Sequence, residues 1–169
     1  MRLVGVFLLI LVGLTSCWPS SVSFQDKGSM PEEWKTFSVK TLTNNSATAP
    51  NSYPSLLTEA LKDGIQNNTR LLLNTANAGE VTIEGSILNY VVSPIALQPG
   101  DVAARNRLTV STKFTIFITA PKEEKMELSL SKFMDFDSNK DISSIEQSLL
   151  SEINAQIVQD VVAKLLSNW

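Results

Sequence analysis

Two segments decide how this chain folds: Val81-Thr-Ile-Glu-Gly-Ser-Ile-Leu-Asn-Tyr-Val-Val-Ser93 and Arg107-Leu-Thr-Val-Ser-Thr-Lys-Phe-Thr-Ile-Phe-Ile-Thr119. In the second, Leu108, Val110, Phe114, Ile116 and Ile118 occupy even positions, interrupted by Thr112. Thr109, Ser111, Lys113, Thr115 and Thr119 occupy odd ones, with Phe117 as the exception. A period of two places one face on an apolar core and the other in water. The first segment puts Val81, Ile83, Ile87 and Val91 on one face and Thr82, Glu84 and Ser86 on the other. Leu88, Tyr90 and Val92 then make its far half apolar on both sides. The connection, residues 94–106, is too long for a tight hairpin turn. A rigid strand pair presenting a long, partly apolar loop is the expectation.

Downstream, Pro121-Lys-Glu-Glu124 makes a charged turn into a third long strand, with Met126, Leu128 and Leu130 inward and a register that drifts before Phe136. A helix follows from about residue 144 to 167. Ile145, Leu149, Ile153, Ile157, Val161 and Leu165 recur every four residues, and Ser143 with Glu146 reads as a capping box. Upstream, residues 34–42 read as a strand with Phe37 and Val39 on one face. Pro54 opens a helix whose stripe is Leu57, Ala60, Leu61, Gly64 and Ile65, ending at Asn67-Asn68. Residues 70–74 read as a short buried strand. The order β-α-β-β-β-β-α predicts an α+β two-layer sandwich: a mixed or antiparallel sheet of four to five strands with two helices packed on one face.

The beginning of the chain has a different character. Met1-Arg2 precedes an unbroken run of apolar residues and Gly, residues 3–14. About 20 residues are needed to span a bilayer, so this is an export signal. It ends in Leu14-Thr15-Ser16-Cys17, which resembles the lipobox of bacterial lipoproteins. That resemblance implies cleavage before Cys17, a diacylglyceryl group on its thiol and acylation of the new amine; several chains on one residue suffice for stable anchoring. The absence of Asp after Cys17 points to the outer membrane. The expected organisation is a signal peptide over residues 1–16, a lipidated tether over 17–33 and a single domain over 34–169. Cys17 is the sole cysteine, which excludes an intramolecular disulfide. Loss of Arg2 with the signal takes the net charge from −3 to −4, against nucleic-acid binding.

Catalysis has little to work with. There is no histidine, and the only thiol is assigned to lipid. One metal pattern needs weighing: Asp135, Asp137, Asn139, Asp141 and Glu146 supply oxygens at the spacing of an EF-hand loop. Lys140 occupies the position that requires Gly, and the approach is from a strand. Turn and cap chemistry is therefore the expectation, with a calcium loop the lesser alternative and no cofactor beyond the covalent lipid.

Several segments in order resemble the lipopolysaccharide-assembly lipoproteins, LptE, in their Bacteroidetes branch. They are the lipobox; Phe37-Ser-Val39 followed by Asn44; Leu57-Thr-Glu-Ala-Leu-Lys-Asp63; Asn68-Thr-Arg-Leu71; Glu84-Gly-Ser-Ile-Leu-Asn-Tyr90; Ser93-Pro94; Ala103-Ala-Arg-Asn-Arg-Leu-Thr-Val110; and Asn168-Trp169. The resemblance implies a non-enzymatic α+β lipoprotein that plugs the outer-membrane β-barrel LptD and assists lipopolysaccharide placement. The competing reading is a free-standing periplasmic lipoprotein that binds lipid or glycan.

The candidate contact site for the barrel or lipopolysaccharide is the 94–106 connection. Ile95, Leu97 and Val102 form an apolar set that an isolated domain gains nothing by exposing. Arg105 and Arg107 flank Asn106, and a bidentate guanidinium suits carboxylates of a barrel wall or phosphates of lipid A. The bland counterpart is a flexible loop with two solvated arginines.

Overall fold

The computed structural model describes residues 30–76, 78–95 and 104–167. Its elements are β1 (Thr36–Val39), β2 (Thr43–Asn44), α1 (Tyr53–Asn68), β3 (Leu72–Leu73), β4 (Val81–Ile95), β5 (Arg105–Ile118), β6 (Glu124–Asp137) and α2 (Ile142–Leu166). The sheet runs β3-β1-β4-β5-β6, with β2 also on β4. β1 is parallel to β3 and β4, whereas β4, β5 and β6 are antiparallel. This is the expected mixed sheet with two helices; the two-residue β2 is an addition. β1 stops at Val39 because the chain bulges, buries Leu42 and rejoins β4 at Ser86 and Ile87.

β5 follows its alternation: Leu108, Val110, Phe114 and Ile116 are fully buried against the helices. β4 does not keep one parity. Its register with β5 shifts between Ile87 and Asn89, a bulge at Leu88. Beyond it Tyr90 turns into the core and Val91 turns out, so Val91 does not share a face with Val81, Ile83 and Ile87 as the simple alternation predicted. β6 pairs with β5 without interruption, so the expected register drift before Phe136 does not occur. Lys132 produced that impression. It occupies an inward position and meets Asp160 of α2 at 2.7 Å.

α1 and α2 lie over one face and meet where Gly64 faces Val158; a Cβ on Gly64 would fall 2.1 Å from a Val158 methyl. Gly85 has a similar purpose on the helix side of the sheet, since a Cβ there would stand 2.6 Å from the ring of its cross-strand partner Phe114. α2 begins on Asp141, whose carboxylate accepts from the Ser143 N–H at 3.2 Å and its hydroxyl at 2.6 Å. The predicted capping box is therefore not formed, and Glu146 accepts from the Tyr90 hydroxyl instead. The expected buried strand at 70–74 is a short edge: Leu71 is buried, but Leu72 is 66% exposed.

Candidate functional site at the two ends of the sheet

The fold has two chemically different ends. At one, the start of the described chain is sealed into the core: Met30 and Trp34 are buried. The Trp34 indole N–H donates to the Ala120 carbonyl at 2.7 Å. The Arg70 guanidinium donates to the Met30 carbonyl at 2.8 Å and also to that of Pro31. The 119–123 turn lies at this end. Sequence reading missed the Arg70 clamp; only Arg70's place just beyond a helix end marked it.

At the other end β4 and β5 remain paired as far as Ile95 and Arg105. Strands of 15 and 14 residues extend roughly 45–50 Å, against roughly 37 Å for the 25-residue α2. The hairpin leads into residues 96–103, so Leu97 and Val102 lie outside the described residues, as do Cys17, the signal segment and the 168–169 pair. Ile95 is half-buried.

The three polar residues assigned to this tip are not one cluster. Asn106 pairs with Pro94 and with the buried Phe136, on the helix side. Arg105 and Arg107 project from the opposite, open side. Arg105 is exposed. Arg107 is already engaged within the chain: Nε lies 2.6 Å from Oδ1 of Asp135 and Nη2 lies 2.9 Å from Oδ2. Its guanidinium carbon sits 3.8 Å from the centroid of the Phe133 ring. The bidentate bond raises the Arg107 pKa and holds the Asp135 carboxyl below its ordinary value. Nε and Nη2 of Arg107 are thus already engaged within the chain. Phe133, 47% exposed, and Val91, 49% exposed, share the cross-strand row through Thr109 and give this end of the open face an apolar patch.

The calcium-loop residues are likewise dispersed. Asp135 holds Arg107, Asp137 lies 3.7 Å from Lys140, Asp141 caps α2 and Glu146 bonds Tyr90, while Asn139 lies in the turn. Among the described residues no group of three or more acidic, Cys or His side chains is placed to hold a metal ion.

Between the start of α1 and the middle of α2 lies a polar pair absent from the sequence reading. The buried Tyr53 hydroxyl donates to Asn154 Oδ1 at 2.9 Å, and its ring meets that of Tyr90 edge-on at 6.1 Å. Burial raises both tyrosine pKa values. No described helix is long and apolar enough to cross a membrane.

Residues 34–165 match the model of the LptE lipopolysaccharide-assembly family. The chain belongs to the LptE family. LptE-family proteins are non-enzymatic, outer-membrane-associated lipoproteins of lipopolysaccharide assembly. No curated protein matches the sequence. Among solved structures, a minor lipoprotein of Acinetobacter baumannii superposes with a TM-score of 0.52 at 14% identity, covering 80% of this chain and 94% of its own. An uncharacterized lipoprotein B of Nitrosomonas europaea gives 0.50 at 15% identity, covering 88% and 91%. A Xanthomonas campestris protein gives 0.53 at 8% identity, covering 82% and 87%. At these identities the likeness is one of fold.

Proposed function

We propose that this LptE-family lipoprotein, of the Bacteroidetes type, is the partner of the outer-membrane β-barrel LptD. In this reading it is anchored through acyl lipid on Cys17 and seated in the barrel lumen as a plug. There it supports barrel folding and the delivery of lipopolysaccharide to the outer leaflet. The supporting observation is the opposition of the two ends. The chain emerges from its tether at the Arg70 clamp, and the longest strands carry Ile95 and the 96–103 connection to the far end. Residues 18–29 reach at most about 40 Å if extended, enough to tie the clamped end to a membrane surface while the tip enters a partner. Apolar Ile95, Leu97 and Val102 are then buried by the lumen. The open sheet face carries Lys40–Glu84, Lys113–Glu127 and Lys125–Glu127 ion pairs and suits a polar wall.

A free-standing lipid- or glycan-binding lipoprotein would need a hollow between sheet and helices. There Leu57, Leu61, Ile83, Ile87, Ile153 and Ile157 meet with no exposure. The test is extraction of the full-length lipoprotein in mild detergent. A stable complex with a large outer-membrane barrel, and barrel levels that fall on depletion of the lipoprotein, are expected. A lone lipoprotein with unchanged barrel levels overturns the reading. Fatty-acid labelling lost in Cys17→Ser checks the anchor separately.

A further inference from the structure

The chain enters the domain through residues 30–34, and a side chain from elsewhere in the fold holds this approach. Arg70 Nη2 donates to the carbonyl of Met30 at 2.8 Å and also to that of Pro31. The Met30 side chain is buried, and the Trp34 N–H closes a turn onto the Pro31 carbonyl at 3.1 Å. Glu32 and Glu33 between them are exposed. Trp34 is then fixed on its own account, buried with its indole N–H on the Ala120 carbonyl. Two separate points therefore hold the incoming chain. One is Met30, through Arg70; the other is Trp34, just before β1.

The backbone that carries Arg70 is itself pinned on both sides. Before it, the N–H and the hydroxyl of Thr69 both bond the Ile65 carbonyl and end α1. After it, Leu71 is buried and the Leu72 N–H bonds the Lys35 carbonyl at 2.9 Å. Arg70 is exposed, so removing its side chain opens no cavity in the core. Its positive charge strengthens the bonds to the two carbonyls. An exposed side chain that grips the main chain of a distant segment, with no share in the core, fixes a position more than it supports the fold.

We propose that Arg70 is a positioning residue for the tether: by gripping Met30 it sets the length of free chain between the Cys17 anchor and the domain. The inference rests on the proposed seating in a barrel. With the grip in place the free chain is residues 18–29. Once Met30 is released it is 18–33, which adds four residues and roughly 13 Å of extended reach. A slack tether conceals that difference, because coil size grows only as the square root of length. A tether near its limit reveals it, because binding is lost when a linker no longer spans its two sites. The grip also keeps tension in the tether off the four-residue β1.

The test shortens the tether of the full-length lipoprotein two residues at a time within 20–29. Barrel co-purification is the readout, and fatty-acid labelling confirms that each form is still lipidated. The series is run in wild type and in Arg70→Gln combined with Met30→Ser, which releases both holds on residue 30. Wild type should lose the barrel at some deletion, and the combined variant should tolerate a deletion four residues longer. At the lengths between, releasing the clamp should restore a complex that the short wild-type tether has lost. A merely structural Arg70 cannot give that gain. Arg70→Gln alone should melt near wild type, since its side chain lies outside the core. The same limit in both backgrounds, a wild type that tolerates loss of all of 20–29, or a melt of Arg70→Gln far below wild type overturns the proposal. An undeleted wild type that brings down no barrel refutes the seating itself, and the role of the clamp with it.

Discussion

Thr112 offers a sharp energetic test of the core. It occupies an inward β5 position opposite Ile87 and Leu130, beside the β4 bulge, and is 1% exposed. Its hydroxyl oxygen has no hydrogen-bond partner among the described residues. A hydroxyl buried without a partner costs about 1–3 kcal/mol. Thr112→Val keeps the branched shape and strand preference and removes that cost. Stability should rise by about 1–2 kcal/mol, or roughly 3–8 °C in Tm for a domain of this size. Thr112→Ser keeps the hydroxyl and deletes a buried methyl, so it should lose about 1 kcal/mol. Urea unfolding followed by circular dichroism measures both, with an unchanged denaturant slope as the check that the end states are the same. If Thr112→Val is less stable than wild type while Thr112→Ser is neutral, the hydroxyl is satisfied and carries no burial penalty.

Other outcomes follow from single contacts. Gly64→Val should lose about 1–3 kcal/mol in urea melts, because the new side chain meets Val158 where α1 and α2 touch; a neutral result would mean that the helices separate freely. Arg105→Glu should weaken barrel co-purification with an unchanged melt, whereas Arg107→Glu should lower the melt as well, since it sets a second carboxylate against Asp135. Equal melting of the two variants would remove the distinction between them. Hydrogen bonds from Thr36 hold the Glu80 carboxyl below its ordinary pKa, and the Arg107 guanidinium does so for Asp135. Their stabilisation is present above the unfolded carboxylate pKa of about 4 and is lost as pH falls through the folded values. Thermal melts should therefore decline below about pH 4, and Glu80→Gln should flatten that decline; identical pH profiles would contradict it.

The layers of this fold were legible because its strands and helices keep their periods over long runs. The even positions of β5 and the four-residue spacing from Leu149 to Leu165 needed no tertiary information. Misreadings arose where one residue interrupts a pattern for a reason far away in sequence. The bulge at Leu88 reverses the facing of Val91, and Lys132 sits inward because Asp160, on another element, neutralises it. Glu146 has cap spacing, yet the chain gives it to Tyr90 and gives the cap to Asp141. At the candidate site, the tip position of Arg105 was readable from the strand pattern. The engagement of Arg107 was not, since Asp135 and Phe133 come beside it only through β6 pairing, and Asp135 carried a competing role in a calcium-like spacing.

In the proposed arrangement the Ile95 end of the hairpin docks into a barrel while the opposite end stays with the membrane tether. Site-specific photo-crosslinking in intact cells tests this most directly. A crosslinker at Ile95 or Leu97 should capture a large outer-membrane β-barrel, and one at Lys122, at the other end of β5 and β6, should not. Capture of the barrel from Lys122 with none from Ile95 and Leu97 would contradict the account.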